Sequence, residues 1–277
     1  MPPARSATTP PNDDQPSGGV REVKSAARTV EILEFLAARQ NRPVRLRELS
    51  EALGVPRSSL HALLRTLAQH GWVRSDATGT LHGIGIRALL AGTSYLDTDP
   101  YLPLVAPILE GLREQLDETF HFGRVDGNDV VYLATRESSQ YLRPYSRVGR
   151  RLPAYSTSLG KAILAGLPAD ERENHLPPEL EPLTPHTLTD RDALDADLEA
   201  TRQRGYAVDN EENTVGLRCF AVALQYDDDP ATDAISASIP LARLSPERDA
   251  EIVAALRQAG DRITRLAGPV RNSLAWG

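Results

Sequence analysis

Residues 44–84 read VRLRELSEALGVPRSSLHALLRTLAQHGWVRSDATGTLHGI, and this stretch decides the N-terminal fold. Leu46, Leu49, Ala52 and Leu53 recur at helical spacing and mark one buried face. Gly54 stops that helix, because glycine takes the left-handed conformation freely. Pro56 opens a second helix, where its fixed φ and missing N–H do no harm. Leu60, Leu63, Leu64 and Leu67 form its apolar stripe, and Arg57, Ser58, Ser59, His61, Arg65 and Gln69 take the opposite face. Two short amphipathic helices joined at a tight glycine turn are a helix-turn-helix. Trp72-Val73-Arg74 then reads as a strand, Asp76 to Gly79 as a turn, and Leu81 to Ile84 as a returning strand. The unit is therefore expected to be a winged helix. Its second helix is expected to enter the major groove of double-stranded DNA. Arg57, Ser58, Ser59, His61 and Arg65 are the candidate contacts, with Arg74 as a cation on the wing. A small helical domain that binds protein would use the same solvated arginines and serines.

Charge separates the chain into unlike parts. The 277 residues carry a net charge of −7, which by itself argues against a nucleic-acid partner. From Val20 to Tyr95, however, 11 Lys and Arg face 6 Asp and Glu, whereas residues 96–277 hold 19 against 30. A basic module on an acidic body is the asymmetry expected when one end meets phosphate. A single cysteine, Cys219, excludes an intrachain disulfide and suits a reducing compartment, so the cytoplasm is expected. No apolar run reaches the ~18–20 residues that span a bilayer, so no membrane partner is expected.

Reading outward, residues 1–19 lack apolar periodicity and are expected to be a disordered tail. A winged helix-turn-helix is expected over 20–84, beginning with a helix from about Arg21 to Arg39. A linker helix over 85–98 follows, with Ile86, Leu89, Leu90 and Tyr95 available to a partner or to the second domain. Two-fold pairing suits a DNA reader, since dimers read paired half-sites. Residues 99–271 form the second domain. Strands are expected at Thr119–Val125 and Val130–Thr135 around the turn Asp126-Gly127-Asn128-Asp129, with Tyr141–Val148 extended. A helix begins near Ser158, and loop dominates from Pro168 to Thr189. Thr189 and Asp192 suit a capping box for a helix to Arg204. Three more strands and a last helix opened by Ser245-Pro246 complete the chain. Alternating hairpins and helices without βαβ regularity predict an α+β domain on an antiparallel sheet.

Several segments resemble the IclR family of bacterial transcriptional regulators. They are RTVEILEFL, ELSEALGVPRSSLHALLRTLAQHGWV, RPYSRVGRRLPAYSTSLGKAILA, PLTPHTLTD, RGYAVDNEENTVGLRC and AISASIP, in that order along the chain. The resemblance implies a two-domain regulator, a winged helix joined by a linker helix to a GAF-like domain that binds a small-molecule effector and oligomerises to a homodimer or tetramer. The effector-binding candidates it implies are Ser158 and Leu159 before Gly160-Lys161, Asp209 in VDNEE, Cys219 in GLRC, and Ser236 and Ser238 in AISAS. Leu152 and Leu217 are implied as apolar walls. The residues support this chemically. Ser158 opens a helix, where free N–H groups attract a carboxylate. Ser236 and Ser238 alternate along a strand and so share a face. Such a hydroxyl-rich pocket suits an organic acid or a sugar acid.

Other chemistries compete for the same residues. Ser158-Leu159-Gly160-Lys161 fits S-x-x-K, the nucleophile motif of serine acyl enzymes, but the accompanying S-D-N and K-T-G elements are absent from the sequence. Lys161 is more simply a solvated or sheet-facing residue. Cys219 has no histidine tied to it by spacing. The six histidines show neither i,i+4 pairing nor cysteine clustering, so no zinc site is indicated. No catalytic residue, metal or cofactor is expected. Asp209, Glu211 and Glu212 also read as a solvated acidic turn. Arg143, Arg147, Arg150 and Arg151 form a cationic cluster that suits an anionic effector or nearby carboxylates. An architectural DNA binder without an effector is the remaining alternative.

Overall fold

The computed structural model describes residues 23–39, 42–226 and 229–271. The tail expected over 1–19 and the start of the first helix at Arg21 lie outside the described residues. The chain divides into two units, Met1–Ser94 and Tyr95–Gly277.

In the first unit, α1 (Lys24–Ala38), α2 (Leu46–Leu53) and α3 (Arg57–Gln69) enclose a core of Ile32, Leu36, Leu49, Val55, Leu60, Leu64 and Leu67. Gly54 ends α2 at φ +61°, as the turn requires. β2 (Val73–Ser75) and β3 (Leu81–Ile84) form the wing. The Asp76 carboxylate holds the wing turn together, accepting from the N–H groups of Thr80 at 2.7 Å and Leu81 at 2.9 Å. A third strand went unread in the sequence. β1 (Val44–Arg45) pairs with the far side of β3, Val44 opposite His82. Two residues are too few to show a period, so only the pairing reveals the strand. α4 (Ile86–Thr98) leaves the wing and contains the division between the units.

The second unit is built on a six-stranded antiparallel sheet in the order β6-β5-β4-β9-β8-β7. The strands are β4 (Thr119–Asp126), β5 (Asp129–Arg136), β6 (Arg151–Pro153), β7 (Ala207–Asn210), β8 (Leu217–Leu224) and β9 (Asp233–Pro240). On one face α5 (Leu102–Leu116) and α9 (Pro246–Arg271) bury Phe120, Phe122, Phe220, Ile235 and Ile239. On the other, α6 (Ser158–Gly166) and α8 (Arg191–Arg204) cover Val130, Ala207, Ala221 and Ala234. β9 lies inside the sheet and is buried at all eight positions. Its sequence DAISASIP accordingly alternates two kinds of interior, Ile235, Ala237 and Ile239 toward the aliphatic core and Ser236 and Ser238 toward the opposite face. Among the described residues no helix is long and apolar enough to cross a membrane.

Two expectations need correction, and the loop-dominated stretch gains one short helix. Tyr141–Val148 is not a strand. It is an irregular strap with Tyr141, Leu142 and Tyr145 exposed, and the strand pairing with β5 comes later, at Arg151–Pro153. Pro144 removes a ladder donor from the middle of that stretch. The proline-rich segment from Pro168 contains a short helix, α7 (Ala169–Glu173). Asp190, not a Thr189/Asp192 box, caps α8, accepting from the Ala193 N–H at 2.9 Å.

Candidate functional site

α3 presents its polar side to solvent. Arg57, Ser58, His61 and Arg65 are exposed and Ser59 is half-buried, while Leu60, Leu64 and Leu67 face the core. Arg74 is exposed on β2. Among the described residues Arg57, Arg65 and Arg74 have no carboxylate within salt-bridge distance, unlike Arg47, which meets Glu51. Pro56 precedes the first turn of α3 without a side-chain cap, so that turn offers free N–H donors beside the exposed cations.

The second site is a cavity of about 30 Å³ on the α6 side of the large sheet. It gathers residues far apart in sequence through cross-strand register. Asp209 on β7 lies opposite Cys219 on β8, and Cys219 lies opposite Ser238 on β9. One step along, Ser236 lies opposite His121 on β4, which in turn faces Thr135 on β5. Leu152, Leu217, Tyr132, Thr157 and Ser158 complete much of the wall, with Pro144, Tyr145 and Arg150 from the strap. Seven of the eight residues expected there line the cavity. Leu159 does not. It is buried in the core, where Gly123 lets it approach β4; a Cβ on that glycine would stand 3.0 Å from Leu159 Cδ1. Helical rotation from Ser158 to Leu159 turns the neighbouring side chain away.

Hydrogen bonds fix the polar wall. Cys219 Sγ donates to Ser238 Oγ at 3.2 Å, and Asp209 Oδ1 accepts the Glu212 N–H at 2.7 Å. His121 is buried, its Nδ1 3.1 Å from Thr135 Oγ1 and its ring edge-on to Tyr132 at 4.9 Å between centroids. Spacing alone assigns none of the histidines a role in this site. His121 sits instead on a strand covered on both faces, which no local pattern announces. Burial, and then the positive charge of Arg150, lower its pKa to about 3. Burial and then the neighbouring Glu212 charge raise Asp209 to about 7. Burial also lifts the Cys219 thiol well above its ordinary value.

These shifts act on stability in opposite directions. Asp209 ionises near 3.8 when exposed and near 7 when folded, so folding takes up a proton between those values and stability falls as pH rises. His121 ionises near 6.5 when exposed and near 3 when folded, so folding releases a proton there and stability rises with pH. From pH 4 to 6.5 the two slopes oppose each other. Glu212, also raised by burial, adds to the Asp209 side. Asp209→Asn should therefore gain on the order of 2 kcal/mol over that window relative to the wild type. Urea unfolding at a series of pH values reads the difference, and parallel curves would refute it.

Lys161 is not solvated. It is fully buried, with Nζ 2.6 Å from Glu212 Oε1 and 2.8 Å from Asp197 Oδ2. The lysine that an S-x-x-K nucleophile needs as its base is held by two carboxylates. Among the described residues no group of three or more His, Cys, Asp or Glu is placed to hold a metal ion. A larger groove of about 490 Å³, bordered by Arg202, Tyr206 and Arg257, contains none of the residues expected from sequence.

A solvated basic helix in a helix-turn-helix, followed by a sheet-built unit with a polar cavity, defines a DNA-binding transcriptional regulator. Residues 25–77 match the IclR helix-turn-helix domain, and residues 93–265 match the C-terminal domain of bacterial IclR transcriptional regulators. The chain belongs to the IclR family. It is 32% identical over 272 residues to the transcriptional repressor IclR of Escherichia coli (strain K12), covering 97% of this chain and 98% of that one. A transcriptional regulator from Rhodococcus sp. RHA1 superposes with a TM-score of 0.74 at 31% identity, over 90% of this chain and all of its own. An IclR homologue from Microbacterium hydrocarbonoxydans, crystallised with 4-hydroxybenzoate, has a TM-score of 0.71 at 23% identity, over 88% of this chain and 98% of its own. At that identity the likeness is one of fold.

Proposed function

We propose that the protein is a cytoplasmic repressor whose affinity for operator DNA is set by a small organic or sugar acid bound in the cavity of the second unit. The observation that carries this reading is the row Asp209, Cys219, Ser238 and its neighbours Ser236 and His121, which converge from four strands on one small polar space. Acids and hydroxyls need such fixed donors and acceptors, and pockets of this kind are set in an otherwise apolar wall. The 4-hydroxybenzoate in the Microbacterium relative supports the choice of a small acid. A space of about 30 Å³ admits a water or two, so effector entry displaces the strap residues Pro144, Tyr145 and Ser146 that line it.

DNA is read by α3. Arg57, Ser58, Ser59, His61 and Arg65 meet base edges and phosphates, the free N–H groups of its first turn take a phosphate, and Arg74 on the wing adds a backbone contact. Ile86, Leu89 and Leu90 are exposed on α4 at i, i+3, i+4 spacing, an apolar stripe that suits pairing of two copies over paired half-sites. Effector and DNA are then linked by a coupling free energy of about 1–3 kcal/mol.

Arg57→Ala should weaken operator binding, reduce the slope of log affinity against log salt by about 1, and leave the melting temperature unchanged. Fluorescence anisotropy across salt concentrations checks this; a drop in melting temperature instead would place Arg57 in the fold. The effector half of the proposal is tested by thermal-shift screening against small organic and sugar acids. A ligand at about 100 times its Kd stabilises by about 2.7 kcal/mol. A hit abolished by Ser238→Ala supports the cavity, and an architectural DNA binder would answer to none of them.

A further inference from the structure

Four arginines lie close together in the sequence around the strap, and the structure separates them. Arg143 is 3.1 Å from Glu137, and Arg151 meets both Asp126 at 2.9 Å and Asp129 at 3.1 Å. Arg147 is exposed and does not line the cavity. Arg150 does line it, half-buried, and among the described residues it has no carboxylate within salt-bridge distance. Among the described residues its one side-chain hydrogen bond runs from Nη1 to the Tyr145 carbonyl at 2.7 Å. A guanidinium has five N–H donors, so most of the fork is left without a protein acceptor. A cation taken partly out of water without a counter-charge is costly unless something else supplies one.

The rest of the cavity wall carries little fixed charge. His121 is held neutral, Cys219 remains a thiol, and Tyr132 is pushed further from ionisation by burial. Asp209 stands on β7, at the opposite edge of the sheet from the β5–β6 edge where Arg150 pairs its carbonyl with the Tyr132 N–H. The N-terminus of α6 is a weaker anion site than its sequence promised, because Thr157 Oγ1 already accepts the Gly160 N–H at 3.1 Å. The cavity is thus polarised, with a planar cation at one end and hydroxyl, thiol and carboxyl partners at the other.

We propose that Arg150 reads the charge of the effector, pairing through two N–H groups with its carboxylate, so that the cavity selects hydroxylated carboxylic acids over their neutral counterparts. This rests on the cavity being the effector site. A guanidinium matches a carboxylate in a two-bond fork that an ammonium cannot reproduce. The effector's hydroxyl then reaches the Ser238, Cys219 and Asp209 end.

The test uses the full-length protein and three matched acid and amide pairs: 4-hydroxybenzoate with 4-hydroxybenzamide, glycolate with glycolamide, and gluconate with gluconamide. Thermal shift and calorimetry are applied to the wild type, Arg150→Gln, Arg150→Lys, Arg147→Gln and Ser238→Ala. At least one acid should bind the wild type at least tenfold more tightly than its amide. Arg150→Gln should lose roughly 10–100-fold of that acid's affinity, the worth of a charged hydrogen-bonded pair, with Arg150→Lys intermediate and Arg147→Gln unchanged. Equal affinity for acid and amide, or full affinity in Arg150→Gln, overturns the assignment of Arg150. If Ser238→Ala still abolishes that binding, the cavity survives as the effector site without it. Failure of all six compounds to bind overturns both.

Discussion

Gly160→Ala should destabilise the protein by about 3 kcal/mol or more, at the severe end of the overpacking range. Helix propensity alone gives the opposite sign, since alanine is favoured over glycine by up to about 1 kcal/mol inside a helix. Packing decides. A Cβ on Gly160 would lie 2.1 Å from the Ala154 carbonyl oxygen and 2.3 Å from Ala154 Cα, where no flexible side-chain end can move aside. α6 rests on the short 3-10 turn Ala154–Ser156 through this contact, and both elements are fully buried there. Relief requires α6 to shift from the sheet, carrying Ser158 and Lys161 with it. Chemical denaturation of the variant measures the loss, and a Gly160→Ala protein as stable as the wild type would show that no such close approach exists. Binding at the proposed effector cavity should also fall, because Thr157 and Ser158 line it within three residues of the displaced position.

The first unit was far more legible in the sequence than the cavity, for a physical reason. Helical faces are written locally, so Leu60, Leu64 and Leu67 announce α3, and Gly54 and Pro56 punctuate the turn within three residues. Their pairing partners are near in the chain. The cavity instead depends on which strands are neighbours. Sequence order places β4 next to β5, but its other neighbour is β9, more than 100 residues later, and that pairing alone brings His121 beside Ser236. His121 and Tyr132 therefore escaped notice, although the alternation of β4 contained one readable sign. In TFHFGRVD a histidine alternates with two buried phenylalanines, which puts it on the opposite face of a strand with no exposed side. The effector candidates from β7, β8 and β9 came through the family resemblance, whose motifs record the long-range pairing that local patterns omit. Even there, Leu159 was carried over with its neighbour Ser158 although a helix turns the two about 100° apart. Arg150 could be named within a cluster of four but not singled out, because its distinction is to line the cavity while no carboxylate among the described residues pairs with it.

Lys161→Met should cost about 3–5 kcal/mol, the penalty for removing one member of a buried ion pair. The two carboxylates left behind are not equivalent. Asp197 keeps a cation, with Arg204 at 3.4 Å and a partly exposed side chain. Among the described residues Glu212 keeps only the Asn210 N–H at 3.3 Å, and its buried Oε2 has no hydrogen-bond partner among them even in the intact protein. The cost therefore falls on Glu212, and Lys161→Met/Glu212→Gln should recover more than half of it. A double-mutant cycle in urea reads that coupling directly. Burial already raises the Glu212 pKa above 4.5, and the charge of Lys161 is what holds it down. Without the lysine, folding takes up a proton at Glu212 over a wider range, so the deficit should be smallest near pH 4.5 and grow toward neutrality. The loss should reach the cavity as well. The Glu212 N–H donates to Asp209 Oδ1, and its carbonyl accepts from Thr187 Oγ1 at 2.6 Å, so one turn sets Asp209 and ties down the loop before α8. A solvated lysine, or one serving only as a base for Ser158, would leave stability nearly unchanged when replaced by methionine. The size of the loss and its growth with pH thus separate the buried strut from both of those readings.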